Sequence, residues 1–96
     1  MAERIHYLKT YVEFFQATKR GDKNFELRKN DRNYRVGDLL ILMEYDPVIG
    51  FIGSEDIWVK VTYILSKQPY VPKWYVCMST VKGYVHDGRS FRHDNA

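Results

Sequence analysis

Residues 57 to 65, "IWVKVTYIL", set Ile57, Val59, Val61, Tyr63 and Leu65 against Trp58, Lys60, Thr62 and Ile64. This period-two alternation predicts a strand with one face turned to a core. "LLILMEY" (39 to 45) is apolar on both faces over its first half, which suits a central strand or one lining a closed barrel. "WYVCMSTV" (74 to 81) reads as a last strand after the proline-marked connection "KQPYVPK". Near the front, Ile5, Tyr7 and Lys9 fall on one side of a short extended segment, with His6 and Leu8 on the other. "YVEFFQATKRGD" then places Val12, Phe15 and Ala17 or Thr18 at helical spacing, with Lys19 and Arg20 in the last turn and Gly21 as a left-handed cap. "NFELR" alternates Phe25 and Leu27 with Asn24, Glu26 and Arg28. The expectation is a half-buried strand with Phe25 and Leu27 in the core and Glu26 and Arg28 facing out.

The breaks between these runs have turn chemistry. "KNDRN" and "VGD" (36 to 38) suit turns, because Asn and Asp tolerate left-handed backbone and bond their own main chain. "DPVIGFIGSED" carries Pro47, Gly50 and Gly53 and predicts a loop or broad hairpin. Beyond Gly83 the chain turns polar, so a domain over 1–83 and a frayed tail over 84–96 are expected. One N-terminal helix and about five strands describe a small α+β domain whose sheet curls into a compact barrel.

Composition narrows the picture modestly. The 96 residues, 45% of them hydrophobic and 16% aromatic, supply one core rather than two. Fifteen basic against twelve acidic residues give a net charge of +3, compatible with an anionic partner. The single cysteine, Cys77, cannot make an intrachain disulfide and sits in an apolar run, pointing to a reducing, cytoplasmic setting. No run approaches the ~20 apolar residues of a membrane span, and "MAERIHYLKT" has no apolar signal-peptide core.

Candidate chemistry gathers in "GDKNFELRKNDRNYRVGD" (21 to 38). Glu26 and Arg28, two apart in a strand, share a face, and Lys23 stands where the chain leaves the Gly21 cap. As a binding device, Arg28 offers planar donors to a phosphate or base edge, Lys23 a point charge, and Glu26 an acceptor for an exocyclic amine. As a catalytic device, Glu26 is a general base and Lys23 a nucleophile or charge stabiliser. The plain alternative is mutual pairing on a solvated strand face. Basic groups from Arg20 to Arg35, interleaved with Phe25, Tyr34 and the later Phe51, suit single-stranded nucleic acid, where backbone neutralisation and base stacking combine. His6, His86 and His93 have no ligand spacing, and neither a phosphate-binding glycine loop nor GxSxG is present, so neither metal nor cofactor is expected.

The positions Gly21, Lys23, Glu26 and Arg28 fit GxKxxExR, and on this signature the chain resembles ASCH domains, small PUA-like β-barrels. Over roughly residues 5 to 81 it looks like an uncharacterised ASCH-related family of bacteria and their phages. That likeness rests on His6, Leu8 and Lys9 in an HxLK start, on "KNDR" (Lys29, Asn30, Asp31, Arg32), and on "VGDLLILMEYD" from Val36 to Asp46. The resemblance implies a pseudo-barrel whose signature lines a cleft near the helix, and a role with RNA, a nucleotide or a modified nucleoside. His6 and Lys9 then stand at the rim, with Lys23, Glu26, Arg28 and the Lys29 to Arg32 turn forming the cleft. An amidohydrolase branch of the group uses a lysine, a threonine and a downstream glutamate. Lys23 matches the lysine, whereas Glu26 takes the threonine's place, and "FIGS" (51 to 54) stands where relatives often carry an aromatic, Thr, Gly and Arg. The leading expectation is an RNA- or nucleotide-binding module. A hydrolase on a nucleobase amide or RNA competes with it, and the third reading is an accessory protein whose surface binds another protein.

Overall fold

Alternation along the first strand decides which residues meet the interior. In β1 (Ile5–Tyr11), His6, Leu8 and Thr10 point inward, while Ile5, Tyr7, Lys9 and Tyr11 face solvent. The computed structural model describes residues 4–86. After β1 come α1 (Val12–Arg20), β2 (Phe25–Lys29), β3 (Leu39–Asp46), β4 (Gly50–Leu65) and β5 (Tyr75–His86). They form one five-stranded sheet in the order β1-β3-β4-β5-β2. β1 runs parallel to β3, and the other neighbours are antiparallel.

The inward rows of these strands build the core. Leu8, Leu40, Leu42, Ile57, Val59, Val61, Val76 and Met78 join Phe15 of α1 and Tyr34 of the β2–β3 connection in one buried cluster. Burying a Leu or Phe side chain contributes about 1.5–3 kcal/mol, so this cluster is the main cohesive term. α1 presents Phe15 and Thr18 to it, three residues apart on one helical face. The helix begins straight from β1, with Tyr11 in extended backbone and no side-chain cap, and Glu13 in its first turn and Lys19 and Arg20 in its last complement the dipole. It ends at Gly21, whose φ of 91° is left-handed. There Gly21 N–H donates to Thr18 at 3.1 Å, and Asp22 and Lys23 N–H both donate to Ala17, at 3.0 and 3.1 Å. This reversal brings Lys23 to the start of β2.

Of the loop or broad hairpin expected from Asp46 to Asp56, the structure has the hairpin: β3 and β4 continue through the stretch and turn over Pro47, Val48 and Ile49. Asp46 Oδ1 accepts from Val48 N–H at 2.7 Å and Ile49 N–H at 3.2 Å, which satisfies the turn's donors and lets both strands run on. The polar tail expected from Tyr84 begins inside a strand, because β5 pairs with β4 as far as His86 opposite Asp56. Backbone pairing there outweighs the polar composition. The tail from residue 87 onward lies outside the described residues.

β1 and β2 are the two edges of the sheet, yet they reach each other. Arg28 of β2 donates to the Lys9 carbonyl and the Thr10 hydroxyl of β1, both at 3.0 Å, and Arg32 donates to the Tyr7 carbonyl at 3.2 Å. Side chains can bridge the edges only if the sheet curls round, so the architecture is a half-barrel stitched by guanidinium groups. The donors also cover backbone acceptors that an open edge would leave exposed.

Candidate functional site

The register of β2 on β5 sets the site. Glu26 lies opposite Met78 and Arg28 opposite Val76, and since Val76 and Met78 point into the core, Glu26 and Arg28 point inward as well. Glu26 is 3% exposed, whereas Phe25 and Leu27 are 46% and 51% exposed. This reverses the expected orientation. Hydrophobicity favours Phe25 and Leu27 inside, but a closed network compensates the buried carboxylate. Oε2 accepts from Lys23 Nζ at 2.6 Å, and Oε1 accepts from Arg28 Nε at 2.9 Å. A carboxylate buried in this way is tolerable only with its charge neutralised and its lone pairs filled.

Arg28 is the hub. Its Nε and one terminal nitrogen face Glu26 Oε1, both at 2.9 Å, and its remaining contacts run to Lys9 and Thr10. The Thr10 hydroxyl in turn donates a hydrogen bond to the Leu8 carbonyl at 3.1 Å. Lys23 Nζ also donates to the Phe25 carbonyl at 2.6 Å and lies 5.0 Å from the centroid of the Phe25 ring. A guanidinium has five N–H donors and an ammonium three, so these bonds leave both Arg28 and Lys23 with donor capacity toward the cleft.

Above this floor opens a cleft of about 420 Å³ lined by Lys9, Thr10, Tyr11, Phe14, Lys23, Phe25, Glu26, Leu27 and Arg28. Its walls are aromatic and aliphatic, and the aromatic surface extends outward from Tyr11 to Phe14 and Tyr45, then to Phe51 against Tyr45 at 4.9 Å. Lys9 Nζ stands 4.5 Å from the Tyr45 ring centroid, and it has no carboxylate partner among the described residues. Sequence reasoning named Lys9, Lys23, Glu26 and Arg28 but missed Thr10, Tyr11 and Phe14. The signal for Tyr11 was present, since it shares the outward side of β1 with Lys9.

The remaining candidates sit elsewhere. His6 does not line the cleft. Its Nε2 pairs with Asp38 Oδ2 at 2.8 Å, and its ring meets Tyr34 edge-on at 5.0 Å. Asp38 also receives Arg35 N–H at 3.0 Å and faces Arg4 Nε at 3.3 Å. Tyr34 is buried at 6% exposure, so it is not a stacking face. Burial raises its phenol above the ordinary 10.0, against the lowering influence of Arg28 and Arg32. Lys29, Asn30 and Asp31 line a separate recess with Trp74 and Tyr75. Asn30 Oδ1 accepts from Tyr34 N–H at 2.9 Å, and Arg32, exposed, donates one N–H to the Tyr7 carbonyl. The single expected cleft is therefore two recesses and a structural turn. His86 and His93 fall outside what the structure describes of side chains.

Residues 5–80 match the family described as Domain of unknown function (DUF3850). The chain belongs to that family. It is also similar to an uncharacterised 12.9 kDa protein in the GpA 3′ region of Escherichia phage P2, with 31% identity over 85 residues, covering 88% of this chain and 75% of that protein. The DUF3850 match spans every residue lining the cleft. No helix among the described residues is long and apolar enough to cross a membrane.

Proposed function

We propose that this protein is an ASCH-type, PUA-like module that binds RNA or a nucleotide by taking an unpaired base into the cleft between β1 and β2. The observation that carries the reading is the combination in one concavity of aromatic walls, Tyr11, Phe14 and Phe25, with the cations Lys9, Lys23 and Arg28. Stacking serves any base, and cations at the rim meet the phosphate. The Glu26–Arg28 floor is held rigid before any ligand arrives, which lowers the ordering cost of binding.

The same geometry weighs against hydrolysis by Glu26. Both of its oxygens already accept from the cations Lys23 and Arg28, which occupy the positions a general base would offer to a substrate proton. Arg28 is a poor probe of binding, since removing it also unties β1 from β2. Lys9 and Tyr11 are better, being exposed and outside the network. In anisotropy titrations with labelled single-stranded RNA, Lys9→Ala should weaken binding and lower the salt slope by about 1. Tyr11→Ala should weaken it about fivefold or more with the slope unchanged. Absence of saturable binding by RNA and by mononucleotides at low salt would sink the reading.

A further inference from the structure

We infer that the outward side-chain row of β2 is a track for single-stranded nucleic acid, leading from the cleft to a second stacking platform at Trp74. The inference rests on the binding reading above and extends it from one base to several. Phe25, Leu27 and Lys29 alternate with the inward Glu26 and Arg28 and so form one continuous row. Phe25 and Leu27 line the cleft. Lys29 lines a recess of about 400 Å³ with Asn30, Asp31, Ser66, Trp74 and Tyr75. The row is about 13 Å long, enough to separate two stacking positions.

Trp74 supplies the independent observation. It is 70% exposed and has a φ of 72°. Bulky L side chains rarely take up that left-handed backbone, because Cβ crowds the following carbonyl oxygen. Here the fold enforces it: Asn30 N–H donates to the Trp74 carbonyl at 2.7 Å, and Tyr75 N–H donates to the Pro72 carbonyl at 3.0 Å. An indole held largely in water on a strained backbone gains little from core packing, and strain of this kind concentrates at ligand contacts. Each end of the track repeats one chemistry, a ring with an ammonium beside it. Lys23 lies 5.0 Å from the Phe25 centroid, and Lys73 lies 5.1 Å from the Trp74 centroid. Lys29 stands between them, and neither it nor Lys73 has an ion-pair partner among the described residues. Rings alternating with cations match bases alternating with phosphates, and Asp31 is the one carboxylate lining the recess.

The test compares uridine monophosphate with an oligouridylate of about six nucleotides on wild type, Trp74→Asn and Trp74→Tyr. Asn tolerates left-handed backbone, so Trp74→Asn should fold with an unchanged or higher melting temperature by circular dichroism. Its affinity for the hexamer should fall about tenfold, its affinity for the mononucleotide should hold, and Trp74→Tyr should recover most of the loss. The inference is overturned if the hexamer binds wild type no tighter than the mononucleotide, or if Trp74→Asn leaves hexamer affinity intact. Equal losses for both ligands would also overturn it, since Trp74 would then be supporting the cleft. If the mononucleotide binds wild type in any of these outcomes, the cleft reading survives. If neither ligand binds, both readings fall.

Discussion

Arg28 holds Glu26 and, with the same guanidinium, fastens one edge of the sheet to the other. Its Nε lies 2.9 Å from Glu26 Oε1, and its terminal nitrogens lie 3.0 Å from the Lys9 carbonyl and from the Thr10 hydroxyl. The candidate site and the closure of the half-barrel thus depend on one side chain. Glu26→Gln leaves Lys23 and Arg28 without their anion and should lower stability by about 2–4 kcal/mol in urea denaturation. Arg28→Lys should cost a comparable amount, because one ammonium cannot reproduce the planar fork that reaches Glu26 and β1 together. A loss below about 0.5 kcal/mol for either would mean the network is not what closes the sheet.

The reversed facing of β2 gives a paired prediction. Leu42 is fully buried and Leu27 is half exposed. Leu42→Ala should cost about 2–5 kcal/mol and Leu27→Ala less than about 1 kcal/mol. Equal costs in chemical denaturation would restore the orientation in which Leu27 belongs to the core.

Gly21 ends α1 at a φ of 91°, and a Cβ there would meet nothing within 4 Å. The penalty for Gly21→Ala is therefore backbone strain alone, about 1 kcal/mol, read as a lower denaturation midpoint at constant m-value. Gly21→Asn should recover part of it, since Asn enters this region more readily.

Tyr34 gives a pH dependence with a definite sign. Burial raises its folded pKa above the unfolded 10.0, so the folded state keeps the phenol proton more tightly than the unfolded chain does. The contribution is fully present below about pH 10 and is lost as pH rises through the folded value. Stability measured from about pH 8 to about pH 11 should fall less steeply for Tyr34→Phe than for wild type. Parallel profiles would remove Tyr34 as the titrating group.

The helix, its Gly21 cap and the strands of "LLILMEY" and "IWVKVTYIL" were legible because each needs only local periodicity and turn chemistry. The hairpin across Pro47 to Ile49 was legible only as an alternative. Proline and glycine signal a break, but the local sequence does not say that Asp46 will satisfy the turn and let both strands continue. Lys23, Glu26 and Arg28 could be grouped from spacing alone. Thr10 and Phe14 could not be added to them, because they reach the cleft only when β1 and α1 come round to β2.

What the sequence determined by itself is the set of elements and the closeness of Lys23, Glu26 and Arg28, since both follow from interactions among residues a few positions apart. Which face of β2 turns inward was decided by tertiary structure. Its register on β5 places Glu26 beside Met78, and Arg28 and Lys23 neutralise the carboxylate there. An alternating pattern fixes which residues share a face. It does not fix which face is buried when charge pairing across strands can compensate the polar one.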